Sequence, residues 1–133
     1  MDNGAEQRVL PEVISKEPLS PAVREGDGRW FDIVRWTLYV MIDAEEAGID
    51  SRNVKRALGD ARADDTRLLL DVEGKVAKAL GLEKDWVLRI ISQVGNYGEI
   101  YERNLGTQSS LKIKRGYNAL WNDGGLLYAP PPR

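Results

Sequence analysis

Histidine and cysteine are both missing from this 133-residue chain, and together the two absences remove much familiar enzyme chemistry. Without cysteine there are no disulfides, thiolate nucleophiles, zinc ribbons or iron–sulfur clusters. Without imidazole there is no Ser-His-Asp or Cys-His arrangement, no HExxH zinc helix, and no side chain that titrates near neutrality from its unperturbed value. An excess of one charge is also lacking. Lys and Arg number 19 against 21 Asp and Glu, a formal net charge of −2, so there is neither a basic field for nucleic acid or anionic lipid nor an acidic one for cations. Long apolar runs are missing too. In the oiliest stretch the uncharged span is Trp36 to Ile42, far short of the ~20 residues that cross a bilayer. The N-terminus, MDNGAEQRVLPEV, has acids and glycine where a secretory leader has a basic start and an apolar run, so the chain as written is expected to carry no signal peptide.

What is present is ordinary for a globular domain, with 42% hydrophobic and 30% charged residues. The chain is organised around Asp27 to Gly48, DGRWFDIVRWTLYVMIDAEEAG. Asp27 can accept from the free N–H groups of a first helical turn, and Gly48 supplies the left-handed residue that commonly ends a helix. Turning about 100° per residue, Arg29, Asp32, Arg35, Asp43 and Glu46 fall into one stripe and the rest of the surface is apolar. A helix that oily needs neighbours on several sides.

Residues 1–26 read as an extended arm ahead of a helical domain over 27–133. Val9-Leu10 and Val13-Ile14 flank Pro11, and Pro18 and Pro21 bracket Leu19. Proline removes a ladder donor, so one or two short edge strands are expected here, the second over Leu19 to Val23. The other β-like run is Leu126 to Tyr128.

After Gly48 come short helical pieces punctuated by glycine: Asn53–Leu58, capped by Ser51 or Asp50 and stopped at Gly59; Arg67–Val72 behind Asp64 or Asp65; and Lys75–Leu80, stopped at Gly81. Behind Asp85, Val87, Ile90, Ile91 and Val94 fall at helical spacing. Asn96 with Glu99 three residues on forms a capping box that starts another helix after Gly95, with Gly106 its stop. A last helix is expected over Lys114–Asn122. The fold class is therefore mainly α: several short helices around one long apolar helix, with Trp30, Ile33, Val34, Leu38, Met41, Ile91 and Tyr101 as expected core.

Four patterns imitate sites. Ser109-Ser-Leu-Lys112 matches S-x-x-K but lacks the partner motifs of that chemistry. Asp43, Glu45 and Glu46 offer carboxylates for a hard metal, yet only Asp43 and Glu46 share a face, and a solvated helix end explains them. Gly95-Asn-Tyr-Gly98 hints at a phosphate cradle, but no strand precedes it, and a helix junction accounts for both glycines. Lys112, Lys114 and Arg115 with Tyr117 are too few charges and rings for a single-stranded nucleic-acid platform. The residues point to no catalytic, cofactor or metal site and no nucleic-acid partner. A small enzyme working with carboxylates alone would rely on Asp43 and Glu46.

Glu17-Pro-Leu-Ser-Pro-Ala-Val-Arg-Glu-Gly-Asp27 ahead of a long apolar helix, Val94-Gly-Asn-Tyr-Gly-Glu-Ile-Tyr-Glu-Arg-Asn-Leu-Gly106, and the closing NALWNDGGLLYAPP resemble the C-terminal region of the polar amino-acid-binding proteins of bacterial ABC transporters. The general L-amino-acid-binding subgroup is the nearest likeness, because residues 49–93 intervene as extra helices. The resemblance implies a C-terminal piece of a two-lobed α/β periplasmic binding protein. Its parent would capture a free L-amino acid and deliver it to a membrane permease without chemistry, and this piece would serve as scaffold. The family's ligand-gripping arginine, its ammonium-binding acid and its aromatic cleft walls have no counterpart in this chain. Alone, such a piece is expected to self-associate through its oily faces. The alternative is a free-standing helical interaction or dimerisation module.

Overall fold

The computed structural model describes residues 10, 12, 14, 15, 17–60 and 64–130. Its axis is helix α1, Gly28–Glu46. Asp27 opens it as expected, one carboxylate oxygen accepting from the Trp30 N–H at 3.0 Å. Gly48 closes it with φ of +67°, which lets the Ile49 N–H return to the Ala44 carbonyl at 2.7 Å. A side chain at Gly48 would have to adopt that left-handed backbone at a steric cost.

Five short helices follow: α2 (Val54–Gly59), α3 (Asp64–Leu69), α4 (Lys75–Leu80), α5 (Trp86–Gln93) and α6 (Tyr97–Asn104). Helix α1 packs against α3, α4, α5 and α6, and α2 against α3 and α5. This satisfies the demand of the oily helix for several neighbours. The main core joins Val40 and Ala44 of α1 to Val54, Ala77, Val87 and Ile91. Ile91, Val40, Val54 and Val87 are fully enclosed, each contributing roughly 1.5–3 kcal/mol by leaving water.

Ile91 and Tyr101 are buried as expected. Ile33, Leu38 and Met41 pack at the margins of the two cores, and Val34 is half-buried. Trp30 is not core: 51% of it is exposed, as is 47% of Phe31. The neighbouring helices cover α1 on the side of Ile33 and Val40, where Arg29 reaches the Leu80 and Gly81 carbonyls at 3.1 and 3.2 Å. Trp30 and Phe31 turn away from that line by about 100° per residue.

Two expected elements differ. The arm strand carried by Val9, Pro11 and Val13 lies outside the described residues. Residues 17–24 form no strand, and Leu19 is almost fully exposed. Pro18 and Pro21 lack N–H donors, and the run at Leu126–Tyr128 is engaged elsewhere. It folds onto the segment expected to be the last helix. That segment, Lys114–Asn122, instead forms two 3₁₀ turns, Gly116–Asn118 and Trp121–Asp123, separated by extended backbone. Leu120 and Leu127 make a parallel bridge, with Trp121 N–H to Leu127 O at 2.9 Å and Leu127 N–H to Ala119 O at 3.1 Å. The hook buries Leu120 and Ala129 against Ile42 of α1 as a second, smaller core. Gly125 permits it, because a Cβ there would collide with the Ala119 carbonyl.

Candidate functional site

The residues that the sequence singled out gather around the C-terminal half of α1, and most are occupied by the fold itself. The capping box at the α5–α6 junction forms in full. Asn96 accepts from the Glu99 N–H at 2.9 Å, and Glu99 accepts from the Asn96 N–H at 2.9 Å. Glu99 also accepts from the backbone N–H and hydroxyl of Ser51 at 3.0 and 2.6 Å, while the Asn96 amide donates to the Ile49 carbonyl at 2.9 Å. The junction is thereby tied to the loop that leaves α1. Gly95 takes φ of +94° to end α5. Gly98 has a different reason: a Cβ there would sit 2.7 Å from a Glu45 carboxylate oxygen. The two glycines make room for a helix junction rather than a phosphate.

Glu45 crosses α6 to reach Arg115, which grips it through two guanidinium nitrogens at 2.7 and 3.1 Å. Both side chains are less than one-fifth exposed. The same guanidinium donates to the Asn118 carbonyl and lies 5.5 and 5.2 Å from the ring centres of Tyr97 and Tyr101. Burial pushes the Tyr97 hydroxyl above its ordinary range, partly offset by Arg115. The Tyr101 hydroxyl donates to the Lys114 carbonyl at 3.1 Å. Arg115 is thus withdrawn from the basic cluster, leaving Lys112, Lys114 and Tyr117 exposed on the surface. Ser109 donates to the Gly106 carbonyl and accepts from the Leu111 N–H, so its hydroxyl shapes a turn instead of meeting Lys112.

Asp43 and Glu46 do share a face: Glu46 is exposed at the helix end as expected, while Asp43 is half-buried. The hook flanks that face, leaving a cleft of about 350 Å³ lined by Asp43, Glu46, Ala47, Asp65, Thr66, Leu68, Leu69, Tyr128 and Ala129. Glu46 accepts from the Trp121 indole N–H at 3.1 Å. One Asp43 carboxylate oxygen is buried with no hydrogen-bond partner. Burial, with the Glu46 charge adding to it, pushes the Asp43 carboxyl up from 3.8 to about 7. Among the described residues no group of three or more acids is arranged to hold a metal ion.

The sequence reading missed Asp71. Nearly fully buried, it accepts from the Val76 and Ala77 N–H groups at 3.2 and 2.7 Å and from the Trp86 indole at 3.1 Å. It therefore caps α4 from outside the helix, because Gly74 at the cap position has no side chain to do so.

Short helices thus surround one long one, with Glu45, Glu99, Asp71 and Arg115 engaged in structural contacts. No protein-family model matches the chain. Over 133 residues it is 57% identical to YhdW of Escherichia coli K12, provisionally named an amino-acid ABC transporter-binding protein. It is 54% identical over 134 residues to the general L-amino acid-binding periplasmic protein AapJ of Rhizobium johnstonii. Each alignment takes in 100% of this chain and 39% of the relative, so the chain spans about two-fifths of the length of the curated relatives it matches. Among solved structures it superposes, with a TM-score of 0.83 and 52% identity, on an ABC transporter periplasmic binding protein from Brucella ovis with glutathione bound. That match covers 93% of this chain and 39% of the other. The chain is thus similar throughout to a part of amino-acid ABC transporter-binding proteins, in keeping with the C-terminal portion that its motifs resemble.

Proposed function

We propose that this chain is the scaffold portion of the amino-acid-binding subunit of an ABC transporter. It acts in the periplasm, and capture of a free L-amino acid and its delivery to the permease belong to the larger assembly. The observation that carries this reading is similarity along the entire chain, at 54–57% identity to the two relatives, with the same fold in a periplasmic binding protein. The chain itself is no enzyme. Histidine and cysteine are missing from it, and several side chains that imitate sites have structural employment: Arg115 on Glu45, Ser109 in a turn, Glu46 on Trp121. Neither relative is named as a free-standing interaction module.

The test is a chimera in which this chain replaces the corresponding segment of AapJ. Retained binding of a free L-amino acid, measured by calorimetry, is the expected result; a folded chimera that binds none overturns the reading. The isolated chain is expected to give no binding heat with any common amino acid, and a Kd tighter than about 1 mM would assign capture to these residues instead.

Self-association of the isolated chain belongs to the same proposal. Trp30, Phe31, Trp121, Leu126 and Tyr128 are each about half exposed or more, and apolar surface of that kind seeks cover. Sedimentation should show mass rising with concentration. A monomer at all concentrations that binds no apolar dye would contradict this.

A further inference from the structure

Asp43 stands where α1, α3 and the C-terminal hook meet, and the hook covers the cleft into which it faces. Leu127 and Ala129 pack with Ile42 and Leu120, while Tyr128 and Ala129 form the outer wall of the cleft. The tail is held by backbone bonds from Leu126 N–H to Tyr117 O at 2.9 Å, Leu127 N–H to Ala119 O at 3.1 Å and Trp121 N–H to Leu127 O at 2.9 Å, and by an edge contact between Trp121 and Tyr128 at 6.5 Å. A terminal segment of this kind can open locally, at a free energy below that of global unfolding.

The electrostatics of the cleft are one-sided. Asp43 shares the cleft with Glu46 from its own helix, Asp65 from α3 and Tyr128 from the tail. None is a cation, and no Lys or Arg is among the described lining residues. Glu46 has the Trp121 indole to satisfy it. Asp43 keeps a buried oxygen with no partner. As a neutral acid it fits this setting at modest cost, whereas as a carboxylate it is desolvated beside like charge.

We propose that the C-terminal hook is an acid-closed latch: it seats over α1 and α3 while Asp43 is protonated and lifts when Asp43 ionises and must be hydrated. The sign follows from linkage. A carboxyl whose titration is raised in the closed form, here to about 7, favours closure fully below the ordinary carboxylate range. That contribution is lost as pH rises from there through about 7. Solvent access to the half-buried group reduces the full effect of nearly tenfold per pH unit.

The experiment is amide hydrogen exchange by NMR on the full chain and on Asp43→Asn at pH 5 and pH 8. Comparing the two proteins at the same pH cancels the intrinsic chemistry of exchange. At the Trp121, Leu126 and Leu127 amides, the wild-type-to-variant ratio of exchange rates should rise by about tenfold or more between pH 5 and pH 8. At Ile91 in the main core it should stay constant. A flat ratio at the hook, or an equal rise at Ile91, overturns the latch. If Asp43→Asn does not fold, ¹³C titration of the Asp43 carboxyl in the wild-type chain replaces it. A midpoint near 7, with hook amide shifts moving alongside, supports the proposal, and a midpoint in the ordinary range near 4 overturns it.

Discussion

Asp71→Ala is expected to remove about 3–5 kcal/mol of stability, a large share of the ~5–15 kcal/mol that holds a domain of this size together. Three donors lose their acceptor at once: the Val76 and Ala77 N–H groups and the Trp86 indole. Each buried donor left unpaired costs roughly 1–3 kcal/mol, and loss of a helix cap is typically ~1 kcal/mol of that. Asp71 also holds φ of +48°, which asparagine and aspartate tolerate better than alanine. Asp71→Asn keeps an acceptor and the backbone preference, so it should lose only about half as much. Urea unfolding of the three proteins reads both numbers. A loss below about 1 kcal/mol for alanine would show that the carboxylate does not cap α4.

Arg115→Ala should cost about 3 kcal/mol or more, because it strips the partner from a nearly enclosed Glu45 carboxylate. The same change empties the space between Tyr97 and Tyr101 and frees the Asn118 carbonyl. Arg115→Lys should recover little of this, since an ammonium offers neither the two-pronged geometry nor the flat stacking surface of the guanidinium. The paired change Glu45→Gln with Arg115→Met removes both charges, and its cost should be clearly smaller than that of Arg115→Ala alone. Thermal unfolding of the set decides it. If Arg115→Lys matched the wild type, the stacked fork would be shown to contribute nothing.

How much of this could be read in the sequence depended on how far each signal had to reach. The Asp27 cap, the Gly81 and Gly95 stops and the Asn96–Glu99 capping box were all legible, because each acts within a turn or two of backbone. Asp71 escaped notice because its cap spans five and six residues and its third bond reaches Trp86, 15 positions on. Gly98 looked like part of a flexible junction, and its actual constraint is the passage of Glu45 from another helix.

By itself the sequence determined the Asp27 cap, the glycine stops after α1, α4 and α5, the need of α1 for several neighbours and the likeness to amino-acid-binding proteins of ABC transporters. Local hydrogen bonding, periodicity and residue pattern carry those. Only the tertiary structure decided that Arg115 answers Glu45 across 70 residues and that Trp30 stays outside the core. The same holds for Lys114–Asn122, which gives up a helix to bury Leu120 and Ala129 against Ile42, and for Asp43, half-buried in a cleft that the tail completes only after folding. Burial between distant segments sets those outcomes, and its energy outweighs the few tenths of a kcal/mol by which local propensity would have chosen otherwise.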